Sequence, residues 1–188
     1  MQADSHPPAS GPVRRPRRLW LIGAVAAVAV AVDQLLKSLV LRTLEPGVPV
    51  PVAGDLVQLS LRLNRGAAFS MGESATWLFA LLAIAVAVFV IWWGTGVASR
   101  GWRCAAGLFL GGVLGNLADR LFREPGFLHG AVVDYVQVKY FAVFNFADAC
   151  ITGAVVVAVL LMLTGRAPSP APQPEPADRA EPTAGDRR

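Results

Sequence analysis

Residues 19–41 read LWLIGAVAAVAVAVDQLLKSLVL. The first fourteen, through Val32, carry no charge, and the last third holds Asp33, Gln34 and Lys37. A helix needs about 20 mostly apolar residues to cross a bilayer. The stretch therefore predicts a membrane span with its polar residues crowded at one end. Three further candidates follow. Residues 74–99 contain a second span, in 26 residues without a charge. Ala105–Phe122 gives a third, short one, with Asp119 and Arg120 near its end. Tyr140–Leu163 gives a fourth, interrupted early by Asp148. The expected fold is an all-α membrane protein: four transmembrane helices with a small extracytoplasmic β-sheet and loop region.

Composition agrees. Of 188 residues, 54% are hydrophobic and 16% charged. Four of the 14 prolines lie in residues 1–18 and six in 165–188, so the apolar residues concentrate between them. That middle exceeds the roughly 45–50% apolar share of soluble domains. An ordinary soluble globule, a disordered chain and a disulfide-stapled secreted domain are excluded. The expected organisation is a disordered basic cytoplasmic leader (1–18), a four-span domain (19–163) and a disordered Pro/Ala-rich cytoplasmic tail (164–188).

The net charge of +4 reads as orienting charge rather than nucleic-acid binding, because no RNA-binding signature is present. Arg14, Arg15, Arg17, Arg18, Arg100, Arg103 and Arg166 fall on one side of a four-span chain. Lys and Arg favour the cytoplasmic side, so both termini are expected there. Arg42, Arg62, Arg65, Arg123 and Lys139 make the bias imperfect. Cys104 and Cys150 sit in apolar runs and read as buried thiols. With His6 and His129 as the only histidines and no HExxH, neither a metal nor another cofactor is expected.

This topology places Asp33 and Lys37, then Asn116, Asp119 and Arg120, then Asn145 and Asp148, all near the outer ends of their spans. Charges within spans are costly and point to function. The outer loop, 42–73, contains a period-two strand: Val57, Leu59, Leu61 and Leu63 alternate with Gln58, Ser60, Arg62 and Asn64. Gly130–Lys139 also reads as extended, with Val132, Asp134, Val136 and Val138 on one side.

Asp33 has Lys37, and Asp119 has Arg123, four residues on, which reads as helical ion pairing. Asp134 and Asp148 have no cation at that spacing. Two readings stay open for them. Brought together near an apolar surface, they would share a proton, one acting as general base on water and the other as acid. Alternatively, one is a loop aspartate and the other complements a helix N-terminus. Asn116 with Arg120, and Asn145 with Asp148, each share a helical face. They either present donors to a substrate or cross-link helices.

Five blocks in order then carry a resemblance. They are Asp33-Gln34-Leu35-Leu36-Lys37, Asn64-Arg65-Gly66-Ala67-Ala68-Phe69, Gly115-Asn116-Leu117-Ala118-Asp119-Arg120, Val132-Val133-Asp134-Tyr135 and Phe144-Asn145-Phe146-Ala147-Asp148. Over residues 19–163 the chain resembles the bacterial lipoprotein signal peptidases, signal peptidase type II. The resemblance implies an aspartic endopeptidase of the bacterial inner membrane. Such an enzyme cuts the signal peptide from a prolipoprotein just before its diacylglyceryl-modified cysteine and is sensitive to globomycin. It implies Asp134 and Asp148 as the catalytic pair and Asn64, Asn116, Arg120 and Asn145 as substrate-binding residues. Asp33, Lys37, Gly66, Phe69 and Asp119 would support them. The implied partners are lipidated prolipoproteins and membrane lipids, with no nucleic acid and a monomeric enzyme. Tyr135 stands where Phe or Met is familiar, and only thirteen residues separate the two aspartates. The rival readings are a small proton-coupled transporter or channel subunit, and a four-span scaffold. A transporter predicts polar residues through the bilayer midplane, and the central parts of spans two and four carry no charge.

Overall fold

In lipid every backbone polar group must be satisfied within the protein, which leaves helices for apolar runs of this length. The computed structural model describes residues 19–66 and 76–168. The expected leader, most of the expected tail and Phe69 lie outside the described residues. Among the described residues are four helices: α1 (Leu19–Thr43), α2 (Thr76–Gly94), α3 (Arg100–Phe122) and α4 (Phe146–Leu163). Three strands, β1 (Val50–Ala53), β2 (Val57–Asn64) and β3 (Val132–Val138), form one antiparallel sheet in that order.

The spans differ from expectation in two respects, the first being that the fourth begins at Phe146 rather than Tyr140, with Asn145 as its cap. Among the described residues, α1, α2 and α4 are long and apolar enough to cross a membrane by themselves. The third is not among them, although α3 begins five residues earlier than expected. At 23 residues it extends about 35 Å, so length is not what it lacks. Its apolar character is diluted by five glycines and by Asn116, Asp119 and Arg120. The reason is its position. α3 packs against all three other helices, most extensively α1 and α4. Its buried residues face nearly every direction: Ala105, Ala106, Gly107, Leu110, Gly111, Gly112, Val113, Gly115, Leu117 and Asp119. A helix enclosed by protein needs small residues for close approach more than it needs greasy ones.

α1 shows the complementary pattern. Ile22, Ala26, Ala29, Asp33, Lys37 and Val40 are buried, at intervals of three and four that define one helical face. The opposite side, with Val28, Leu35 and Leu39, is exposed, as suits contact with lipid. One stripe thus begins as apolar packing and ends as a buried ion pair.

The sheet caps this polar end. Val40 of α1 packs with Leu61, Val133 and Tyr135 in a small core of its own. β2 lies where the alternating pattern placed it, but its apolar face is not kept throughout. A register shift between Leu59 and Arg62 buries both Ser60 and Leu61 and leaves Leu63 56% exposed. An extra residue in one strand of a pair moves later side chains to the other face. The first four residues of β3 are buried on both faces: Val133 and Tyr135 face the core against α1, and Asp134 points the other way.

Close helix approach makes a direct prediction. A Cβ on Gly112 would collide with the Ala147 carbonyl oxygen and lie 2.7 Å from Ile151 Cγ1. Gly112→Val is expected to destabilise detergent-solubilised protein by about 1–3 kcal/mol, measured as a lowered melting temperature. Gly153→Ala, whose Cβ has no neighbour nearer than 3.7 Å, should leave it unchanged.

Candidate active site

The polar residues of α1, α3, β3 and α4 meet in one network. At its base is Lys37, 0% exposed. Its ammonium lies 2.8 Å from Asp33 Oδ2, 2.8 Å from Asp119 Oδ2 and 3.0 Å from Asn116 Oδ1. A lysine has three donors, and all three are engaged. Both ion pairs expected from spacing are present, Asp33 with Lys37 and Asp119 with Arg123, whose Nε is 2.6 Å from Asp119 Oδ1. Each carboxylate also holds backbone. Asp33 Oδ1 accepts from the Ala147 N–H at 3.0 Å, and Asp119 Oδ2 accepts from the Val133 N–H at 3.2 Å. α1 is thereby tied to the start of α4, and α3 to the start of β3.

Most donors in the first turn of α4 have partners: the Ala147 N–H bonds Asp33, the Asp148 N–H bonds Asn145 Oδ1 at 3.0 Å, and the Ala149 N–H bonds the Asn145 carbonyl. The Asp148 carboxylate completes a capping box by accepting from the Asn145 N–H at 3.2 Å. Helix starts favour such reciprocal pairs because their N–H groups lack intrahelical partners. Asp148 therefore sits at the positive end of the α4 dipole.

The cap also decides what Asn145 can do. Its Oδ1 is taken by the helix, so its Nδ2 faces away, donating to Asp134 Oδ1 at 2.7 Å and Asn116 Oδ1 at 3.1 Å. Asn116 in turn donates from Nδ2 to Asp148 Oδ1 at 2.8 Å. Two asparagine amides thus join the two aspartates. Asn64 closes the other side: its Nδ2 donates to Asp134 Oδ2 at 3.0 Å, while its Oδ1 accepts the Gly66 N–H at 3.1 Å. The short connection between the aspartates is explained by a turn-back. After β3 the chain reverses, and Phe144 pairs with Val136 as an isolated bridge. That bridge sets Asn145 beside Asp134.

Asp134 is buried. Burial, with Asp148 nearby, pushes its carboxyl up to about 6, although the bonds from Asn64 and Asn145 and the charge of Lys37 oppose the rise. Arg120 projects among these groups. Its Nη1 is 3.4 Å from the Asn116 carbonyl and its guanidinium lies over the Phe79 ring at 5.8 Å. Its buried Nε has no hydrogen-bond partner among the described residues, although buried donors are nearly always paired.

The structure thus brings together Asp134, Asp148, Asn64, Asn116, Arg120 and Asn145, with Asp33, Lys37, Asp119 and Gly66 behind them. Phe69 lies outside the described residues. Sequence reasoning assigned no role to Gln34, yet its Nε2 reaches Asp33 Oδ2, the Gly115 carbonyl and Asp119 Oδ1 at 3.1–3.2 Å. Its signal was an amide within an apolar helix. Gly115 was likewise unassigned: a Cβ there would lie 2.7 Å from Asp33 Oδ2. Among the described residues, no group of three or more His, Cys, Asp and Glu is arranged to hold a metal ion.

Comparison with known proteins agrees with this geometry. Residues 25–164 match the profile of signal peptidase (SPase) II. A lipoprotein signal peptidase of Mycobacterium avium (strain 104) is 45% identical over 152 residues, 81% of this chain and 84% of that protein. One from Rhodococcus jostii (strain RHA1) is 46% identical over 157 residues, 84% and 79%. One from Mycolicibacterium smegmatis is 42% identical over 182 residues, 97% and 77%. Two solved bacterial membrane enzymes share the fold at a TM-score of 0.66. One is 22% identical and covers 81% of this chain and 93% of its own; the other is 25% identical and covers 74% and 90%. These matches lend no support to a transporter.

The buried triad gives a stability prediction. Lys37→Met leaves Asp33 and Asp119 without their shared cation, and breaking a buried pair costs about 3–5 kcal/mol. Thermal unfolding in detergent should show a large loss for this variant.

Proposed function

Because the chain belongs to the signal peptidase II family, we propose that Asp134 and Asp148 are the catalytic pair of an aspartic peptidase that removes signal peptides from prolipoproteins. The observation that carries this is the Asn145 amide. One residue caps the helix that bears Asp148 and donates to Asp134 at 2.7 Å, so the two carboxyl groups are held as a unit.

Charge balance favours a shared proton. The cluster contains four carboxyl groups, Asp33, Asp119, Asp134 and Asp148, and three cations, Lys37, Arg120 and Arg123. With one proton on the catalytic pair it is neutral, and uncompensated charge is costly in a low-dielectric site. Asp134 is the holder of that proton, because burial disfavours its ionised form. Asp148 is the base. Its carboxylate accepts from Asn116 and from its own cap, and the α4 dipole favours negative charge there.

In the proposed reaction Asp148 takes a proton from water as its oxygen attacks the scissile carbonyl carbon. Asp134 donates to the carbonyl oxygen, and the Arg120 Nε–H supports the developing charge. Collapse breaks the C–N bond as Asp148 passes its proton to the leaving amine and Asp134 takes one back from the gem-diol, leaving a new carboxyl group on the signal peptide. The scissile bond lies just before a diacylglyceryl-modified cysteine, as the family's chemistry implies.

The depth of the site suits such a substrate. Asp33 lies fourteen residues from the start of α1, Asn116 sixteen from the start of α3, and Asp148 fifteen from the end of α4. At 1.5 Å per residue these are about 21–24 Å, most of a hydrocarbon core of about 30 Å. The other end carries Arg100, Arg103 and Arg166. With the positive end cytoplasmic, α3 completes a four-span bundle, both termini are cytoplasmic and the site lies near the outer face. A membrane-anchored prolipoprotein then presents its lipidated end at the same level.

Asp134→Asn and Asp148→Asn each preserve shape but not the shared proton. Each should lower the kcat for cleavage of a lipidated prolipoprotein by at least about 100-fold; parent-like cleavage by either variant rules out the pair. The pH profile gives a second check. kcat/KM reports the free enzyme, so it should fall as pH rises through about 6, where Asp134 loses its proton. Asn64 favours the ionised form, so Asn64→Ala should make Asp134 keep its proton longer and shift this limb to higher pH.

A further inference from the structure

Lys37 does more than neutralise two aspartates. Two of its three donors meet carboxylates, but the third meets a neutral amide oxygen, Asn116 Oδ1, at 3.0 Å. An asparagine amide has two faces. When its oxygen accepts on one side, its Nδ2 donates on the other, and here Nδ2 donates to Asp148 Oδ1 at 2.8 Å. The reversed amide would set Nδ2 against an ammonium that only donates, and Oδ1 against a carboxylate that only accepts. Asn145 Nδ2 reaches the same Oδ1 at 3.1 Å and supports the same orientation, but without charge. A charged donor makes the stronger hydrogen bond and polarises the amide beyond it.

We propose that Lys37 is a positioning residue for the peptidase reaction, acting through the Asn116 amide to hold Asp148 as the water-activating carboxylate. This rests on Asp134 and Asp148 being the catalytic pair, and it extends that reading to a residue on α1. Lys37 is fully buried with all its donors engaged, so it contacts no substrate. Its charge also acts on Asp134, favouring loss of the proton there. The other charged groups acting on Asp134 are Arg120 of α3 and Asp148 of α4.

The test must separate positioning from simple stability. Lys37→Met alone leaves the buried Asp33 without a cation, so the informative variant is Asp33→Asn/Lys37→Met, which leaves the cluster's net charge unchanged. Asn at 33 still offers an oxygen to the Ala147 N–H. Purified full-length protein in detergent is assayed on a lipidated prolipoprotein. The expected result is a kcat lower by about 10–100-fold, KM within about twofold, since no substrate contact is lost, and the alkaline limb of kcat/KM moved to higher pH. Asp33→Asn/Lys37→Gln restores a neutral donor to Asn116 without the charge. It should recover most of kcat while keeping the displaced limb, and it provides the same pH readout if the Met variant does not fold.

Parent-like kcat and an unmoved limb in the Met variant would overturn the proposal. So would equal kcat in folded Met and Gln variants, or a loss confined to KM. Asp148→Asn assayed in parallel separates the two claims. Retained cleavage there defeats the catalytic pair itself. Lost cleavage there, with a parent-like Met variant, defeats only the role of Lys37.

Discussion

A cation buried among membrane helices must be surrounded by acceptors, and Lys37 meets this requirement with three. It draws Asp33 from its own helix and Asp119 and Asn116 from α3. Those acceptors then constrain the rest. Asp33 holds the first turn of α4, Asp119 holds the start of β3, and Asn116 holds Asp148. An ion pair of this kind contributes little net stability compared with apolar packing, yet losing one partner is expensive. The arrangement therefore specifies where elements meet more than it strengthens the fold.

The bundle divides its work along its length. One end is joined by small-residue contacts, with Gly107 and Gly111 of α3 lying against Ile22, Val25, Ala26 and Ala29 of α1. The other end is joined by hydrogen bonds and capped by a sheet. Close apolar packing brings the helices near enough for short side chains such as Asp and Asn to bridge them. The bridges in turn link a carboxyl group on β3 and one on α4 through two hydrogen-bonded asparagine amides.

Much of this was legible from residue order. The apolar runs, their polar ends, the i,i+4 ion pairs and the strand at 57–64 all follow from periodicity and charge. The five blocks contain most of the residues that meet in the polar network, and Asp134 and Asp148 stand out because neither has a cation at helical spacing. Other features were not legible. The apolar character of α3 understates its place in the bundle, because a helix surrounded by protein is not selected for lipid contact. Gln34 drew no attention because an amide beside Asp33 is uninformative until α3 comes within 3.2 Å of it. Leu63 belongs by alternation to the apolar face of β2, and the register shift turns it outward.

The sequence by itself determined which segments are helical and lipid-facing, where their polar residues fall, and the family to which they belong, since all of these are local patterns along the chain. Only the tertiary structure decided which way each amide points, and hence which carboxylate receives which donor. An asparagine is the same letter in either orientation. The choice is made by partners from distant elements: a helix N-terminus for Asn145, a turn N–H for Asn64 and a buried ammonium for Asn116.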